Sequence, residues 1–308
     1  MKYSITIPAY KSTFLHECIE SVLSQTYKDF EVVIVDDHSP YHLNEIVNSF
    51  SDNRIRYIKN ERNYGAIDVV DNWNKCLEYA KGKYIICMGD DDKLLPNCLE
   101  VYNDLIEKYP NLGVYHGQTE LIDDKSKFKT VTALRPEYES VYSLIWHRWD
   151  NRRFQYIGDF LFDRVKLEKK GGFYKLPLAW GSDDITTVMM ASESGIANTQ
   201  SVVFQYRDNN TTISSTGNID IKIDSLFKEK LWYEDFLADC PSNCDDFKYW
   251  KSAKEIMDRR YMRRYAYHLT EDCKTNGLSG LFHWLSKRKK YNLSSALIFY
   301  SFFMSFKK

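Results

Sequence analysis

The stretch FEVVIVDDHS, residues 30–39, carries the strongest indication of fold in this sequence. The segment Phe30–Val35 is almost continuous in valine and isoleucine, which is typical of a parallel strand covered on both faces. Asp36 and Asp37 follow where such a strand would end. Because ligands of open α/β sheets bind beyond the carboxyl ends of the strands, this stretch predicts both a fold class and the position of a site.

Strand and helix signals alternate on both sides of this stretch. Tyr3, Ile5 and Ile7 recur at a spacing of two, as in a strand, whereas Leu15, Ile19 and Val22 recur at helical spacing. The predicted strands are 3–8, 30–35, 55–58 and 84–88, and the predicted helices are 15–23 and 69–80. This alternation predicts an α/β fold with a doubly wound, mostly parallel sheet flanked by helices.

The rest of the chain divides into a mixed part and a helical part. Residues 113–210 mix short strand-like runs, at 113–116 and 202–206, with loops. Beyond residue 219, apolar residues recur three and four apart with Lys and Arg between them. We place a boundary in the Ser/Thr/Gly-rich stretch 211–218. This predicts one domain over 1–215 and a helical C-terminal extension over 216–308.

Composition excludes several classes of protein. The chain has 308 residues, of which 44% are hydrophobic and 28% charged, as in an ordinary globular protein. A net charge of −1 argues against a dedicated nucleic-acid binder. The seven cysteines form no CxxC pair, so they predict neither a zinc site nor a disulfide framework. Without a signal-like start or a long apolar run, we expect a cytoplasmic protein.

Three polar clusters follow predicted strands of the same sheet. They are Ala9-Tyr10-Lys11, Asp36-Asp37-His38-Ser39 and Gly89-Asp90-Asp91-Asp92. Each cluster alone would be ordinary, since aspartates often cap helices or turns and a lone tyrosine usually packs. Together, their carboxylates would repel one another in a cleft unless a cation neutralises them. Oxygen ligands of this kind suit Mg²⁺ or Mn²⁺.

The ordered set of motifs resembles the nucleotide-sugar-binding half of glycosyltransferase family 2 enzymes with the GT-A fold. The segments are ITIPAYK (5–11), SVLSQTYKDFEVVIVDDHS (21–39), NERNYGA (60–66), WNKCLEYAKGKYI (73–85) and MGDDDKLLP (88–96). The resemblance covers about residues 1–210. It implies a nucleotide-binding half over 1–112 and an acceptor and catalytic-base half over 113–215.

The resemblance also implies roles for residues at the first two strand ends. Tyr10 matches the residue beside the nucleotide base, and Asp37 matches the carboxylate that accepts from the uracil imide. Asp36 is its neighbour, and Pro8 and Asn63 complete the expected nucleotide-binding set.

In the acidic loop, the resemblance implies that Asp91 is the metal ligand at the end of the family's DxD motif. The first position of that motif is Gly89 here, so the sequence departs from strict DxD. Asp90 is then expected to contact the ribose or a metal-bound water. Asp92 is a second candidate metal ligand, and the metal is Mn²⁺ or Mg²⁺.

The second half is expected to supply the catalytic base. Trp180-Gly181-Ser182-Asp183-Asp184 is similar to the family's acidic element before a helix. Asp183 is the preferred base and Asp184 the alternate. The structural alternative is that Ser182 or Asp183 only caps the N-terminus of the helix. Arg207 matches a position that could meet the diphosphate, and a structural salt bridge is the equal alternative.

The implied function is that of an inverting, metal-dependent glycosyltransferase, which moves a sugar from a nucleotide diphosphate sugar to an acceptor hydroxyl. The preferred donor is a UDP-sugar. The implied context is surface polysaccharide or lipopolysaccharide assembly, with a glycan or lipid-linked glycan as acceptor. The alternatives are a catalytically inactive glycan- or nucleotide-sugar-binding protein and a sugar-phosphate nucleotidyltransferase. The last usually opens with a glycine-rich phosphate loop, and PAYKSTFLHE (8–17) has no glycine.

The C-terminal segment is basic and aromatic. From Cys273 to Lys308 it has no acidic residue, while seven lysines and arginines alternate with aromatic residues. This composition suits peripheral contact with the inner face of the plasma membrane. A helix packed on the first domain and a homodimer contact are the alternatives.

Overall fold

The computed structural model describes residues 1–65, 68–150, 153–208 and 218–307. The chain forms two compact units, one of Met1–Lys175 with Ser182–Thr211 and one of Leu176–Gly181 with Thr212–Lys308. The boundary expected at residue 215 lies outside the described residues.

The first unit contains the strands and seven of the α-helices of the described chain. The strands are β1 (Tyr3–Ala9), β2 (Phe30–Asp36), β3 (Ile55–Lys59), β4 (Tyr84–Cys87), β5 (Lys93–Leu94), β6 (Val114–Ile122), β7 (Phe128–Val131), β8 (Tyr138–Glu139), β9 (Phe160–Asp163) and β10 (Ile196–Arg207). The helices are α1 (Leu15–Leu23), α2 (Leu43–Asn48), α3 (Val69–Tyr79), α4 (Cys98–Lys108), α5 (Val141–Trp149), α6 (Arg164–Lys169) and α7 (Ser182–Ala191).

All ten strands join one sheet. Their order is β3-β2-β1-β4-β9-β6-β10-β5, with β7 paired to β6 and β8 paired to β10. β1 to β4 run parallel, β9 is antiparallel to both of its neighbours, and β6 and β10 are parallel to each other. The predicted α/β class with a mostly parallel sheet flanked by helices is therefore confirmed.

The centre of the sheet is apolar on both faces. Every residue of β2 is buried, including Val33 and Val35 on one side and Val32 and Ile34 on the other. Strands covered on both faces lose the polar alternation of half-exposed strands, which explains the continuous Val/Ile run in the sequence.

The second half of the sheet was only partly visible in the sequence. The runs predicted at 113–116 and 202–206 belong to the longer strands β6 and β10. The buried strand β9, with sequence FLFD, was not predicted, and it lies between β4 and β6. A four-residue apolar run has too little periodicity to be distinguished from a helix segment.

The second unit is helical, as the sequence predicted for the C-terminal extension. It contains α8 (Ile219–Phe236), α9 (Cys244–Lys287) and α10 (Ser295–Met304). Gly277 interrupts α9 with φ 54° and ψ −132°, a conformation that glycine adopts without a steric penalty. None of the helices within the described ranges combines the length and apolarity needed to span a bilayer.

Candidate functional site

Three strand ends meet at one edge of the sheet. Ala9 at the end of β1 is in register with Asp36 at the end of β2, and the backbone N–H of Asp37 donates to the carbonyl of Ala9 at 2.8 Å. On the other side of β1, the N–H of Met88 donates to the carbonyl of Thr6 at 3.0 Å. The polar clusters that follow β1, β2 and β4 therefore begin side by side.

Asp90 joins the loop after β4 to the loop after β1. Its carboxylate oxygen Oδ2 accepts from the backbone N–H groups of Tyr10 and Lys11, each at 2.7 Å. Burial raises the pKa of Asp90 to about 6, and the charge of Asp91 adds to this effect. Asp90 thus shapes the loop that carries Tyr10.

Tyr10 presents its ring at the surface of this edge. The side chain is exposed and meets Tyr41 edge-on, with 6.5 Å between the ring centres. Its backbone is held by Asp90 and by the Ser39 hydroxyl, which donates to the Tyr10 carbonyl at 2.6 Å. An accessible ring on a fixed backbone is suited to contact a planar ligand group.

Asp37 organises the loop that follows β3. Oδ1 accepts from the side-chain amide of Asn60 at 2.9 Å and from the N–H of Tyr64 at 2.8 Å, and Oδ2 accepts from the N–H of Gly65 at 2.6 Å. A Cβ atom at position 65 would lie 2.8 Å from Oδ2, so this approach requires glycine. Asn63, from the predicted nucleotide set, lies in the same loop and is half-buried.

Asp36 and Pro8 face less solvent than Tyr10. The carboxylate of Asp36 is buried, accepts from the N–H of Ser39 at 2.7 Å and from the hydroxyl of Tyr57, and lies 3.8 Å from the Lys59 ammonium. These contacts tie the end of β2 to β3. Pro8 is half-buried in β1.

The carboxylates of Asp91 and Asp92 converge over Gly89. A Cβ atom placed on Gly89 would lie 2.9 Å from Oδ1 of Asp91 and 2.9 Å from Oδ2 of Asp92. Burial, followed by the charge of Asp91, raises the pKa of Asp92 well above its usual value. Lys11 lies 3.8 Å from Asp91. The glycine that replaces the first aspartate of the motif leaves room for both carboxylates.

This pair fits a divalent cation that takes most of its other ligands from substrate and water. Mg²⁺ commonly uses one or two carboxylates together with phosphate oxygens. The described residues contain no group of three or more His, Cys, Asp or Glu side chains arranged for a metal ion. Asp90 cannot complete such a group through Oδ2, because that oxygen accepts from two backbone N–H groups.

Arg207 lies inside the protein, beneath the acidic loop. Its Nε donates to the carbonyl of Asp91 at 2.7 Å, and its backbone N–H donates to Oδ1 of Asp92 at 2.9 Å. The guanidinium also contacts Glu17 at 3.2 Å and stacks 4.0 Å from the Phe14 ring. The side chain of Arg207 is fully buried among these partners and supports the acidic loop.

The second acidic pair lies at the start of α7. Oδ1 of Asp184 accepts from Nε of Arg148 at 3.0 Å and from the side-chain amide of Gln155 at 2.6 Å. Asp183 is half-buried, and within the described ranges it forms no ion pair. Burial, followed by the charge of Asp184, raises the pKa of Asp183 to about 7. The two neighbours therefore differ in the partners that surround their carboxylates.

Sequence reasoning missed the residues that hold Asp184. Arg148 comes from α5 and donates through Nη1 to the carbonyl of Arg153 at 3.0 Å, while Arg153 donates to both oxygens of the buried Glu139 at 2.5 and 2.7 Å. These residues lie 29 or more positions before Asp184. No motif marks them, because their role arises only when α5 and α7 come together.

The fold and the strand-end site define the class of this protein as a GT-A-type α/β protein. The chain belongs to glycosyltransferase family 2, whose family model, described as "Glycosyl transferase family 2", matches residues 4–170.

Curated relatives match the first part of the chain. The glycosyltransferase GlyG of Streptococcus pneumoniae serotype 4 is 34% identical over 123 residues, which are 38% of this chain and 40% of GlyG. WfgD of Escherichia coli, named as a UDP-Glc:alpha-D-GlcNAc-diphosphoundecaprenol beta-1,3-glucosyltransferase, is 34% identical over 124 residues, 40% of this chain and 47% of WfgD. The chain thus matches less than half the length of either relative.

Solved structures of S. aureus TarS share the fold over nearly the whole chain. The complex of TarS 1–349 with UDP-GlcNAc superposes with a TM-score of 0.63 and covers 98% of this chain and 89% of the TarS chain. The sequences are 13% identical, so the similarity concerns the fold.

Proposed function

We propose that this chain is an inverting glycosyltransferase that moves a sugar from a UDP-sugar to a hydroxyl of a glycan acceptor. One observation supports this proposal most strongly. In a chain of this family, the loops after β1, β2 and β4, which carry Tyr10, Asp37 and Asp91, begin side by side at one edge of the sheet. The name of WfgD, a UDP-Glc-dependent enzyme, and the UDP-GlcNAc complex of TarS support the choice of donor.

Asp37 is the proposed residue that recognises the uracil base of the donor. An ionised carboxylate has about four lone-pair positions. Three of them are used by Asn60, Tyr64 and Gly65, which leaves one for the imide N–H of the base. The Tyr10 ring would pack against the base, while Asp36, Pro8 and Asn63 shape the surrounding wall.

Asp91, with Asp92 beside it, is the proposed holder of Mn²⁺ or Mg²⁺. Such an ion, when bound, stabilises the negative charge that develops on the leaving diphosphate. Asp90 contributes through the loop it fixes, and its second oxygen, Oδ1, is the proposed contact for a ribose hydroxyl.

Asp183 is the proposed general base. The acceptor hydroxyl gives its proton to Asp183 as its oxygen bonds to the anomeric carbon and the bond from that carbon to the diphosphate breaks. General base catalysis typically contributes about 10²- to 10⁴-fold. Asp184, the alternate, accepts from Arg148 and Gln155 through Oδ1, so this oxygen is already engaged within the protein.

We place the reaction in the assembly of a surface polysaccharide or lipopolysaccharide, in the cytoplasm and at the inner face of the plasma membrane. The acceptor would be a glycan on a lipid carrier, as the printed name of WfgD states for that enzyme. A homodimer is compatible with this scheme but is not required by it.

The test is UDP release from a panel of UDP- and GDP-sugars, with Mn²⁺ or with a chelator. We expect release from UDP-sugars that depends on the metal. Asp91→Ala should abolish the metal-dependent turnover and weaken UDP binding, whereas Lys169→Ala, at the exposed end of α6, should change neither. Full turnover by Asp91→Ala would overturn the metal assignment. Nucleotide-sugar binding without any release would instead support the inactive binding protein.

A further inference from the structure

The short C-terminal helix α10 is apolar on the side that faces solvent. Ala296, Phe299, Tyr300 and Phe303 are all exposed, and their spacing of three and four places them on one face. Phe303 has 65% of its surface exposed. The opposite side holds the buried residues Ile298 and Ser301. A surface helix of a globular protein normally turns polar residues to water, whereas α10 is apolar on its exposed side as well as on its buried side.

Cations flank this aromatic face at both ends. The exposed turn Arg288–Lys290 precedes the helix, and Nη1 of Arg288 donates to the hydroxyl of Ser295, the first helical residue, at 2.5 Å. Lys307 follows the last turn and is also exposed. The sequence contains no Asp or Glu after Asp272. The Lys290 ammonium lies 3.3 Å from the Asp224 carboxylate of α8, so Arg288, Lys289 and Lys307 carry the charge of this surface.

We propose that α10, together with the turn Arg288–Lys290 and Lys307, is a docking surface for an anionic lipid bilayer. The helix lies in the plane of the membrane, with its aromatic face among the acyl chains and its flanking cations at the headgroups. Aromatic side chains that enter the acyl boundary and basic residues that meet anionic headgroups both strengthen binding at a membrane interface. Membrane docking by this surface is independent of the proposed function. Its purpose, to bring the protein to a lipid-linked acceptor, rests on that function.

Charge complementarity favours a bilayer over a second copy of the chain. Because both ends of α10 carry cations, pairing the aromatic faces of two copies would oppose like charges in either a parallel or an antiparallel arrangement. An anionic membrane neutralises both ends at once. Each Lys or Arg near such a surface strengthens binding about fivefold, and the effect weakens with salt.

The experiment is sedimentation of the full chain with vesicles of phosphatidylcholine alone or mixed with phosphatidylglycerol, at low and high salt. We expect binding to the anionic vesicles that decreases with salt, and little binding to the neutral ones. Phe303→Ser should weaken binding about tenfold, because one exposed ring no longer enters the bilayer. The matched control is Phe128→Ser in the first unit, where the phenylalanine is 64% exposed and binding should be unchanged.

Arg288→Gln combined with Lys289→Gln should weaken binding by at least tenfold at low salt and much less at high salt. Circular dichroism of each variant verifies that it is folded. The proposal is overturned if the wild-type protein does not bind anionic vesicles, or if Phe303→Ser binds as tightly as wild type. It is also overturned if light scattering shows a wild-type dimer that Phe303→Ser converts to a monomer, since the face would then serve a second copy.

Vesicle binding requires no sugar transfer, so the two proposals fail separately. A protein that releases UDP but does not bind vesicles would overturn the docking surface alone. A protein that binds vesicles but never releases UDP would overturn the proposed function alone.

Discussion

Two Asp-Asp dipeptides of the first unit, Asp36–Asp37 and Asp183–Asp184, have different surroundings. In Asp36–Asp37, both carboxylates accept hydrogen bonds from neighbouring backbone and side-chain groups. In Asp183–Asp184, the second member accepts from Arg148 and Gln155, whereas the first has no ion pair in the part of the chain that the structure describes. The pairs differ in the donors that the fold brings to them.

The difference shows how a carboxylate remains available for proton transfer. Donors to the ionised form favour it and keep its pKa low, whereas burial and a nearby like charge favour the protonated form. Asp183 receives burial and the charge of Asp184, so its pKa rises to about 7. The Asp37 carboxylate accepts three hydrogen bonds, which fix its position.

Among the variants that distinguish the two pairs, the largest expected effect is the loss of turnover when the proposed base, Asp183, is replaced. Asp183→Asn should lower the turnover of sugar transfer by about 10²- to 10⁴-fold and leave UDP affinity unchanged. The readouts are steady-state UDP release with acceptor and UDP titration by calorimetry. The control is Glu193→Gln, in the exposed turn that follows the same helix. If Asp184→Asn alone caused this loss, the roles of the two neighbours would be reversed.

The second prediction is an acid limb in the pH profile. Because the base must be deprotonated and its pKa lies at about 7, kcat/KM should fall about tenfold per pH unit below neutrality. The charged groups that act on Asp183 are Asp184, Arg148 and Asp159. The profile is measured with saturating metal and with Tm recorded at each pH. A flat profile down to pH 5 in a folded protein would contradict the assignment.

The same shift in pKa has a consequence for stability. A carboxyl whose pKa is higher in the folded state binds its proton more tightly there, so its contribution to stability decreases as pH rises from about 4 to 7. Asp183→Asn removes this dependence. We expect the variant to gain Tm relative to wild type at pH 8 and to lose that gain near pH 4.

A further prediction concerns the Asp36–Asp37 pair. Asp37→Ala should weaken UDP binding by about 10- to 100-fold, the cost of one hydrogen bond to a charged acceptor, and should weaken GDP binding less. The ratio of the two affinities is the informative quantity, because loss of the contacts to Tyr64 and Gly65 affects both nucleotides. Equal losses for UDP and GDP would mean that uracil is read by other residues.

The smallest effect is expected for Asp184→Asn. Removing this charge should move the acid limb to lower pH, because Asp184 is one cause of the raised pKa of Asp183. It should also lower the free energy of unfolding by about 1–3 kcal/mol, since Arg148 loses its carboxylate partner. Urea unfolding and the pH profile measure the two effects. An unmoved limb would show that burial alone sets the pKa.

The sequence indicated the first half of the fold well. β1, β2, β3 and β4 were predicted within one or two residues, because their apolar patterns are local and their connections are short. β9 was missed, and with it the antiparallel strand that separates β4 from β6. Strand order depends on contacts between distant segments, which a local pattern does not contain.

By itself, the sequence determined the class of fold and the family, because apolar periodicity and the polar residues after each strand are properties of short segments. The tertiary structure alone decided that Arg207 is buried under the acidic loop and that Asp184 is paired with Arg148, whereas Asp183 has no ion pair within the described residues. These outcomes depend on partners 36 to 116 residues away. The physical reason is that a pKa or a buried ion pair depends on the donors, charges and solvent exclusion around a group, and these exist only once the chain has folded.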